Sequence, residues 1–203
     1  MPLSVREVNY SAASLLMRYC EILQDAQQVL IETERNVTEK FLTLDIKMCL
    51  MKDPEWLQKF IRDREINARL IRTGKVSTVG EAAREMNCGR EKIIKSMVLV
   101  SESGRAIVAV VNGTSRVNAS KVEKILKERV RVAEREEVER LTGFQAGGVP
   151  PVGHGCLTLI DPEVFRSDPV YGGGGDEYHL IEISPDEIVR ASSGGVLIGD
   201  IRT

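Results

Sequence analysis

Residues 141–160 form a run of 20 residues without a charged side chain, in a chain of which 29% is charged. A run of this length is long enough to cross a bilayer as a helix. However, 5 glycines and 2 prolines interrupt it, and both residue types break helices. The sequence therefore predicts an uncharged, shaped loop at this place, and we expect no membrane partner.

The length of the chain limits the number of domains. At about 100 to 200 residues per domain, 203 residues accommodate one large domain and an appendage, but not two full catalytic domains. The hydrophobic fraction of 42% indicates a globular protein with a sizeable core. The first residues do not contain a basic segment followed by an apolar core and a cleavage site, so we expect a cytoplasmic protein.

Charge and aromatic content restrict the nucleic-acid contacts that the chain can make. The net charge is −2, with +6 on residues 51–140 and −6 on residues 141–203. A protein that binds a long nucleic-acid duplex usually carries a strongly positive surface, and these charges are far below that level. Aromatic residues make up only 4% of the chain, which argues against an extended stacking surface for single strands. Any RNA contact is therefore expected to be local.

The cysteines do not form a metal-binding or disulfide pattern. Cys20, Cys49, Cys88 and Cys156 are widely spaced, and no two of them form a C-x-x-C pair. His154 and Cys156 together would supply two ligands, which is fewer than a structural zinc site needs. We expect buried free thiols, no metal and no cofactor.

Residues 1–52 are predicted to form a helical hairpin that precedes the main domain. Apolar residues recur there every three or four positions, as on one face of a helix. Asn36 and Glu39 have the spacing of a capping box, which would begin a second helix. The apolar stripe must be buried somewhere. It could pack on the following domain, pair with a second copy in a homodimer, or dock a partner protein, and the sequence leaves these alternatives open.

Residues 53–203 are predicted to form a single mixed α+β domain. Asp53-Pro54 and Ser184-Pro185 combine a helix cap with a proline at the first helical position. Two β-rich segments, Ile93–Val100 and Ala106–Val111, have the pattern of a hairpin. The spacing of strands and helices is irregular, so we expect a mixed sheet curled into a partial barrel and surrounded by helices.

Lys95 stands out because it lies inside an apolar strand. By alternation it shares a face with Ile93 and Met97. The ammonium group could therefore lie in solvent at a sheet edge. Alternatively, it could present a fixed positive charge to a phosphate or to a developing oxyanion.

The uncharged loop contains the candidate catalytic segment Gly147-Gly148-Val149-Pro150-Pro151. Glycines allow close approach to the main chain and prolines stiffen a loop, so that backbone N–H groups can point at one spot. Such a cluster of donors binds an anion or a polarised carbonyl oxygen. The alternative is a surface connection made of turn residues.

Four further residues are candidates for substrate binding: Gly153, His154, Gly174 and Gly175. His154 could act as a general base, or could serve only as a hydrogen-bonding residue. The run Gly172–Gly175 does not have the spacing of a dinucleotide site, and is either a flexible turn or a second backbone wall over a substrate. No sequence motif of a nucleophilic triad is present, so any catalysis would rest on backbone dipoles and a lysine.

The order of four motifs resembles the YbaK/ProX family of trans-editing aminoacyl-tRNA deacylases, whose fold is also the editing insertion of bacterial prolyl-tRNA synthetases. The motifs are Thr78-Val79-Gly80-Glu81-Ala82-Ala83, Ile93-Ile94-Lys95-Ser96, Leu141-Thr142-Gly143-Phe144 and Gly147-Gly148-Val149-Pro150-Pro151-Val152-Gly153-His154. The resemblance covers roughly residues 55 to 200.

The resemblance implies hydrolysis of the ester between a wrongly attached amino acid and the 3′-terminal ribose of a tRNA, most often tRNA(Pro) carrying Cys or Ala. The essential lysine of the family falls on Lys95, and its G-x-x-x-P loop falls on Gly147 to Pro151. The implied partners are the 3′ end of an aminoacyl-tRNA and prolyl-tRNA synthetase. The alternative function is a non-catalytic module that binds a tRNA end or a synthetase.

The chain departs from the family pattern in two places. In Cys-specific members the resemblance leads us to expect an acidic residue two positions before Glu182, where this chain has Leu180. This puts specificity for Cys in doubt. The predicted hairpin over residues 1–52 also has no counterpart in the family pattern.

Overall fold

The computed structural model describes residues 51–203. The predicted helical hairpin therefore lies outside the described residues, apart from its last two positions. Within the described part, five α-helices and eight strands follow one another irregularly. No helix in that part is long and apolar enough to cross a membrane.

The caps at Asp53-Pro54 and Ser184-Pro185 and the two strands of the hairpin lie close to their predicted positions, whereas β4 and β6 were not predicted. The helices are α1 (Pro54–Asp63), α2 (Val79–Glu85), α3 (Ala119–Leu126), α4 (Arg135–Thr142) and α5 (Pro185–Ala191). The strands are β1 (Ala68–Arg72), β2 (Ile94–Ser101), β3 (Ala106–Asn112), β4 (Val130–Val132), β5 (Leu157–Ile160), β6 (Val170–Gly173), β7 (His179–Ile183) and β8 (Val196–Ile198). Short 3-10 helices cover Arg90–Lys92 and Pro162–Arg166.

Local capping explains several helix starts. The Asp53 side chain accepts a hydrogen bond from the Trp56 amide ahead of α1. Thr78 and Glu81 form a reciprocal capping box that begins α2. These contacts satisfy amide donors that the first turn of a helix leaves free.

The strands form two sheets. The smaller sheet has the order β1-β7-β6 and is antiparallel. The larger has the order β4-β2-β3-β5-β8, with β2 antiparallel to β3 and β4, and with β3, β5 and β8 parallel. The prediction of a mixed sheet is confirmed.

The two sheets of the described residues are not closed into a barrel, and the predicted partial curl stays a prediction. A single bridge, Ile93 to Tyr171, joins the two sheets. The edge strands β4 and β8 are only 3 residues long. Because a barrel needs continuous pairing around its whole circumference, this architecture remains two sheets.

The central strand β3 carries the core on both faces. Val108 and Val110 belong to the larger apolar cluster, whereas Ile107, Ala109 and Val111 belong to a second cluster beneath α3. All five are fully buried. A strand buried on both faces holds its neighbour β2 firmly, and β2 carries Lys95.

The buried carboxylate of Asp161 fixes the end of the chain. Its Oδ1 accepts hydrogen bonds from the Glu163 amide and from the Arg202 guanidinium, both at 2.9 Å. Its Oδ2 accepts from the Ile201 amide at 3.0 Å. Because Asp161 has no exposed surface, losing these partners would leave buried polar groups unsatisfied.

We predict that Asp161→Ala lowers the free energy of unfolding by about 3 kcal/mol, since it breaks a buried charge network. The matched control is Asp200→Ala, which removes an exposed ion pair with Lys121 of 2.8 Å and should cost far less, because solvent screens such pairs. Urea unfolding followed by circular dichroism measures both values. Equal losses in the two variants would contradict the prediction.

Candidate active site

A cavity of about 330 Å³ opens between the two sheets. One wall is the start of β2, and the facing wall is the loop after α4 together with β6 and the start of β7. The segment that leads into α2 closes a third side. The cavity therefore brings together parts of the chain that are far apart in sequence.

Lys95 lines this cavity from β2. Its Nζ donates a hydrogen bond to the Ser115 carbonyl oxygen at 2.5 Å. Partial burial lowers the pKa of the ammonium group, and the nearby Arg116 charge lowers that pKa further. No carboxylate among residues 51–203 pairs with this lysine. The positive charge is thus held in place by a carbonyl and stays available to an anionic group.

The candidate catalytic segment lines the same cavity as Lys95. Gly147 and Val149 line the cavity, whereas Gly148, Pro150 and Pro151 are buried behind them. The amide groups of Gly147 and Val149 have no hydrogen-bond partner among the described residues. Two unpaired N–H donors on a cavity wall can bind a carbonyl oxygen or an oxyanion.

The glycines of this wall are required by close contact between two backbone segments. A Cβ atom on Gly148 would lie 2.7 Å from the backbone nitrogen of Asp176, and one on Gly173 would lie 2.7 Å from the Val149 carbonyl oxygen. The Gly175 amide donates to the Gly148 carbonyl at 2.8 Å. The glycine-rich run therefore packs on the loop as a second backbone wall, one of the two alternatives for it.

The four glycines of the run Gly172–Gly175 occupy two different positions relative to the cavity. Gly172 and Gly173 line the cavity, while Gly174 and Gly175 are buried and are not among its lining residues. A Cβ atom on Gly174 would lie 2.7 Å from the His179 carbonyl oxygen. The two glycines that we selected from the sequence thus support the wall from behind.

His154 lies beneath the loop and does not line the cavity. Its Nδ1 accepts a hydrogen bond from the Cys156 amide at 3.1 Å, so the proton of the neutral ring is on Nε2, which donates to the Pro151 carbonyl at 3.2 Å. Burial lowers the pKa of this imidazole to about 4. His154 is therefore neutral near pH 7 and braces the loop.

Gly153 is also placed behind the loop. Its carbonyl oxygen accepts a hydrogen bond of 2.8 Å from the Lys52 ammonium group. The Lys52 nitrogen lies 4.7 Å from the centre of the Trp56 ring, a cation–π distance. These contacts connect the loop to the residues around the start of α1.

Asp176 and His179 are two cavity residues that the sequence interpretation did not select. The His179 Nδ1 lies 2.8 Å from Asp176 Oδ1, which also accepts from the Tyr178 amide at 2.8 Å. The carboxylate therefore orients the imidazole. The signal that could have identified them is an acidic residue and a histidine three positions apart, directly after the glycine run.

The site contains no nucleophilic triad among the described residues. Neither of the two imidazole rings is hydrogen-bonded to a side-chain hydroxyl or thiol, and the Cys156 thiol donates to the His154 carbonyl oxygen instead. Burial raises the pKa of the Cys156 thiol, which keeps it protonated and weakly nucleophilic. The groups that the cavity offers to a substrate are the backbone N–H donors of the loop, the Lys95 ammonium group and the oriented His179 imidazole.

The sequence model of the aminoacyl-tRNA editing domain matches residues 73–191 of the chain. This range covers β2 with Lys95, the glycine-proline loop and the Asp176–His179 pair. The chain belongs to the aminoacyl-tRNA editing domain family.

Curated relatives of this editing domain are proline-tRNA ligases. The enzyme of Caldicellulosiruptor saccharolyticus is 28% identical over 116 residues, which is 56% of this chain and 20% of the ligase. The enzyme of Pseudothermotoga lettingae is 29% identical over 139 residues, which is 63% of this chain and 24% of the ligase. The chain thus spans about a fifth to a quarter of the relatives that it matches.

Solved structures similar to this editing domain are nearer to it in size. One is described as "a putative trans-editing enzyme for prolyl tRNA synthetase", with 28% identity, a TM-score of 0.69, and coverage of 74% of this chain and 96% of that chain. Another is the hypothetical protein APE2540, with 31% identity and a TM-score of 0.66. The match covers 72% of this chain and 99% of that chain.

We predict that Gly148→Ala destabilises the editing domain by about 2 kcal/mol, because a methyl group cannot enter the contact with the Asp176 backbone. Gly80→Ala is the matched control, since there an added Cβ meets only the flexible Arg90 side chain at 3.3 Å. This control should be neutral or stabilising, because alanine is favoured inside a helix. Thermal unfolding of both variants tests the difference, and an unchanged Gly148→Ala midpoint would refute it.

The buried imidazole of His154 predicts a specific pH dependence of stability. Below about pH 6.5 the unfolded chain binds a proton at this histidine, whereas the folded protein binds it only near pH 4. Unfolding free energy should therefore fall as the pH drops from about 6.5 to 4, by at most about 3 kcal/mol. Urea unfolding across this range is the measurement. His154→Asn should remove that part of the slope, and an unchanged slope would contradict the assignment.

Proposed function

We propose that the protein is a trans-acting aminoacyl-tRNA deacylase, which removes a mischarged amino acid of the Cys or Ala class from tRNA, with tRNA(Pro) as the acceptor. One observation carries the proposal: Lys95 and the unpaired amides of the glycine-proline loop line the same cavity. Membership in the editing family and the similarity to proline-tRNA ligases support the choice of substrate.

In this proposal the loop amides bind the carbonyl oxygen of the ester. Attack on an ester places negative charge on that oxygen, and donors already aimed at it stabilise the charge without reorganisation. The amides of Gly147 and Val149 supply two such donors. Their positions are fixed by the backbone contact with the Gly172–Gly175 run, so they are preorganised for this task.

Lys95 supplies the positive charge of the site. Its ammonium group is held by the Ser115 carbonyl and has no acidic partner among the described residues. It is therefore suited to position the phosphate of the terminal nucleotide, or to stabilise the charge that develops on the ester. Partial desolvation strengthens either interaction.

The proposed reaction uses a water molecule as the nucleophile. The water oxygen attacks the ester carbonyl carbon, assisted by the neighbouring ribose hydroxyl, and forms a tetrahedral intermediate. The bond between the carbonyl carbon and the ribose oxygen then breaks, and a proton passes to that oxygen. The products are the free amino acid and the uncharged tRNA. This route agrees with the lack of a side-chain triad in the described part of the chain.

Cavity size is the proposed basis of selection. A volume of about 330 Å³ must hold the aminoacyl group and part of the terminal ribose, which favours small side chains and rejects larger ones sterically. Leu180 lines the cavity at the position where the family resemblance led us to expect an acidic residue. Selection of a thiol therefore has to rest on other groups of the cavity.

Two partners belong to the proposal. The 3′ end of an aminoacyl-tRNA is the substrate, and prolyl-tRNA synthetase is the protein partner, supported by the ligases that contain a similar region. Residues 1–52 are proposed as an extension that pairs with a second copy or with the partner. Unchanged deacylation after removal of residues 1–50 would make this extension an accessory to catalysis.

The decisive prediction concerns Lys95→Ala, which should reduce deacylation of mischarged tRNA at least about 100-fold by removing charge stabilisation in the transition state. Lys124→Ala, which changes an exposed lysine on α3, is the control and should keep full activity. The assay measures release of Cys, Ala, Ser and Pro from tRNA(Pro), with tRNA(Ala) and tRNA(Thr) as comparison acceptors.

The panel distinguishes an enzyme from a binding module. Hydrolysis of at least one non-cognate ester, lost in Lys95→Ala, is the expected result. Full activity of Lys95→Ala would remove the lysine from the mechanism. Tight binding of tRNA without hydrolysis of any ester would favour the non-catalytic alternative.

A further inference from the structure

Ser96 contains an unsatisfied polar atom in the wall of the cavity. It follows Lys95 on β2 and is one of the lining residues. Its Oγ is shut off from solvent and has no hydrogen-bond partner, and it is the one side-chain oxygen or nitrogen of the described residues for which this is so. A buried hydroxyl without a partner destabilises the folded protein, so its presence calls for an explanation.

The position of Ser96 in the cavity indicates which part of a substrate it can meet. Ser77, Thr78 and Gly147 are exposed and mark the mouth, whereas Ile94 and Leu180 are buried and mark the floor. A tRNA is far too large to enter, so the ester has to lie nearer the mouth and the amino-acid side chain nearer the floor. Ser96 lies two positions after Ile94 on β2, so its side chain is on the same face of the strand as this floor residue.

The other polar groups of an aminoacyl ester have better partners elsewhere in the cavity. The ester carbonyl faces the Gly147 and Val149 amides in the proposed function. The α-ammonium group suits Asp176, the only acidic lining residue, whose Oδ2 has no partner among the described residues. The amino-acid side chain is then the part of the substrate left for Ser96.

We propose that Ser96 is a specificity-determining residue, whose hydroxyl forms a hydrogen bond with a hydroxyl or thiol group on the side chain of the aminoacyl substrate. This inference rests on the proposed function. Ser96 as a whole is only partly buried, so a rotation about χ1 between staggered wells turns Oγ from the wall toward the bound group. A hydroxyl can both donate and accept, and therefore suits serine and cysteine side chains alike.

The selectivity follows from the energy of the unpaired hydroxyl. A seryl or cysteinyl group gives it a partner, whereas an alanyl group leaves it unsatisfied in a site that is then closed to water. A site with a buried hydrogen-bonding group rejects an analogue that cannot pair with it. With Leu180 on the same floor, Ser96 provides the polar recognition that Leu180 cannot.

The test compares full-length protein with its Ser96→Ala and Ser96→Thr variants on tRNA(Pro) charged with Ser, Cys or Ala. In Ser96→Ala we expect kcat/KM for the seryl and cysteinyl esters to fall roughly tenfold, while the value for the alanyl ester stays within about twofold. Ser96→Thr keeps a hydroxyl and should preserve the preference for Ser and Cys over Ala.

A stability measurement separates a substrate contact from a structural one. Removing an unsatisfied hydroxyl should leave the melting temperature of Ser96→Ala unchanged or raise it by about 2 to 4 °C. A structural hydroxyl with a hidden partner would instead lower it by several degrees. Ser193→Ala is the matched control, because Ser193 is exposed and does not line this cavity, and it should change neither the ester preference nor the stability.

The outcomes are distinguishable from failure of the proposed function. If the unmodified protein hydrolyses no ester, the proposed function fails and this inference falls with it. If it hydrolyses esters, and Ser96→Ala changes all three by the same factor or none of them, the role of Ser96 is overturned while the deacylase function stands. A lower melting temperature of Ser96→Ala also overturns it.

Discussion

The site depends on two backbone segments that lie too close together to admit a side chain between them. A Cβ atom added to Gly148 would lie 2.7 Å from the Asp176 backbone nitrogen, and one added to Gly173 would lie 2.7 Å from the Val149 carbonyl oxygen. The Gly175 amide fixes the contact through a hydrogen bond of 2.8 Å to the loop. Because main-chain atoms form this contact, the direction of the loop amides does not depend on any rotamer.

The surrounding core keeps that contact rigid. His154 supports the loop from behind as a neutral ring, and Lys52 holds the Gly153 carbonyl from the side of α1. On the opposite wall, β2 is paired along its length with the fully buried strand β3. The loop amides and the lysine therefore line one cavity whose walls are set by folding, and such preorganisation is what the proposed electrostatic catalysis requires.

Much of the fold was predictable because its signals are local. The proline that follows Asp53 and the hairpin pattern of Ile93–Val100 and Ala106–Val111 each depend on neighbouring residues, and each was confirmed. The closure of the sheets and the position of His154 were not predictable in this way. Pairing of edge strands and burial of a ring depend on segments distant in sequence, and the single bridge between Ile93 and Tyr171 leaves the sheets open.

The sequence by itself determined the chemical inventory: an uncharged glycine-proline loop, a lysine in an apolar strand, and motifs whose order resembles an editing family. Only the tertiary structure decided which of these groups face the cavity. It placed Gly174 and Gly175 behind the wall, and it brought Asp176, His179 and Ser96 to the surface of the cavity. The physical reason is that caps, turns and alternation are encoded by adjacent residues, whereas a cavity wall is formed by contacts between segments that the sequence keeps far apart.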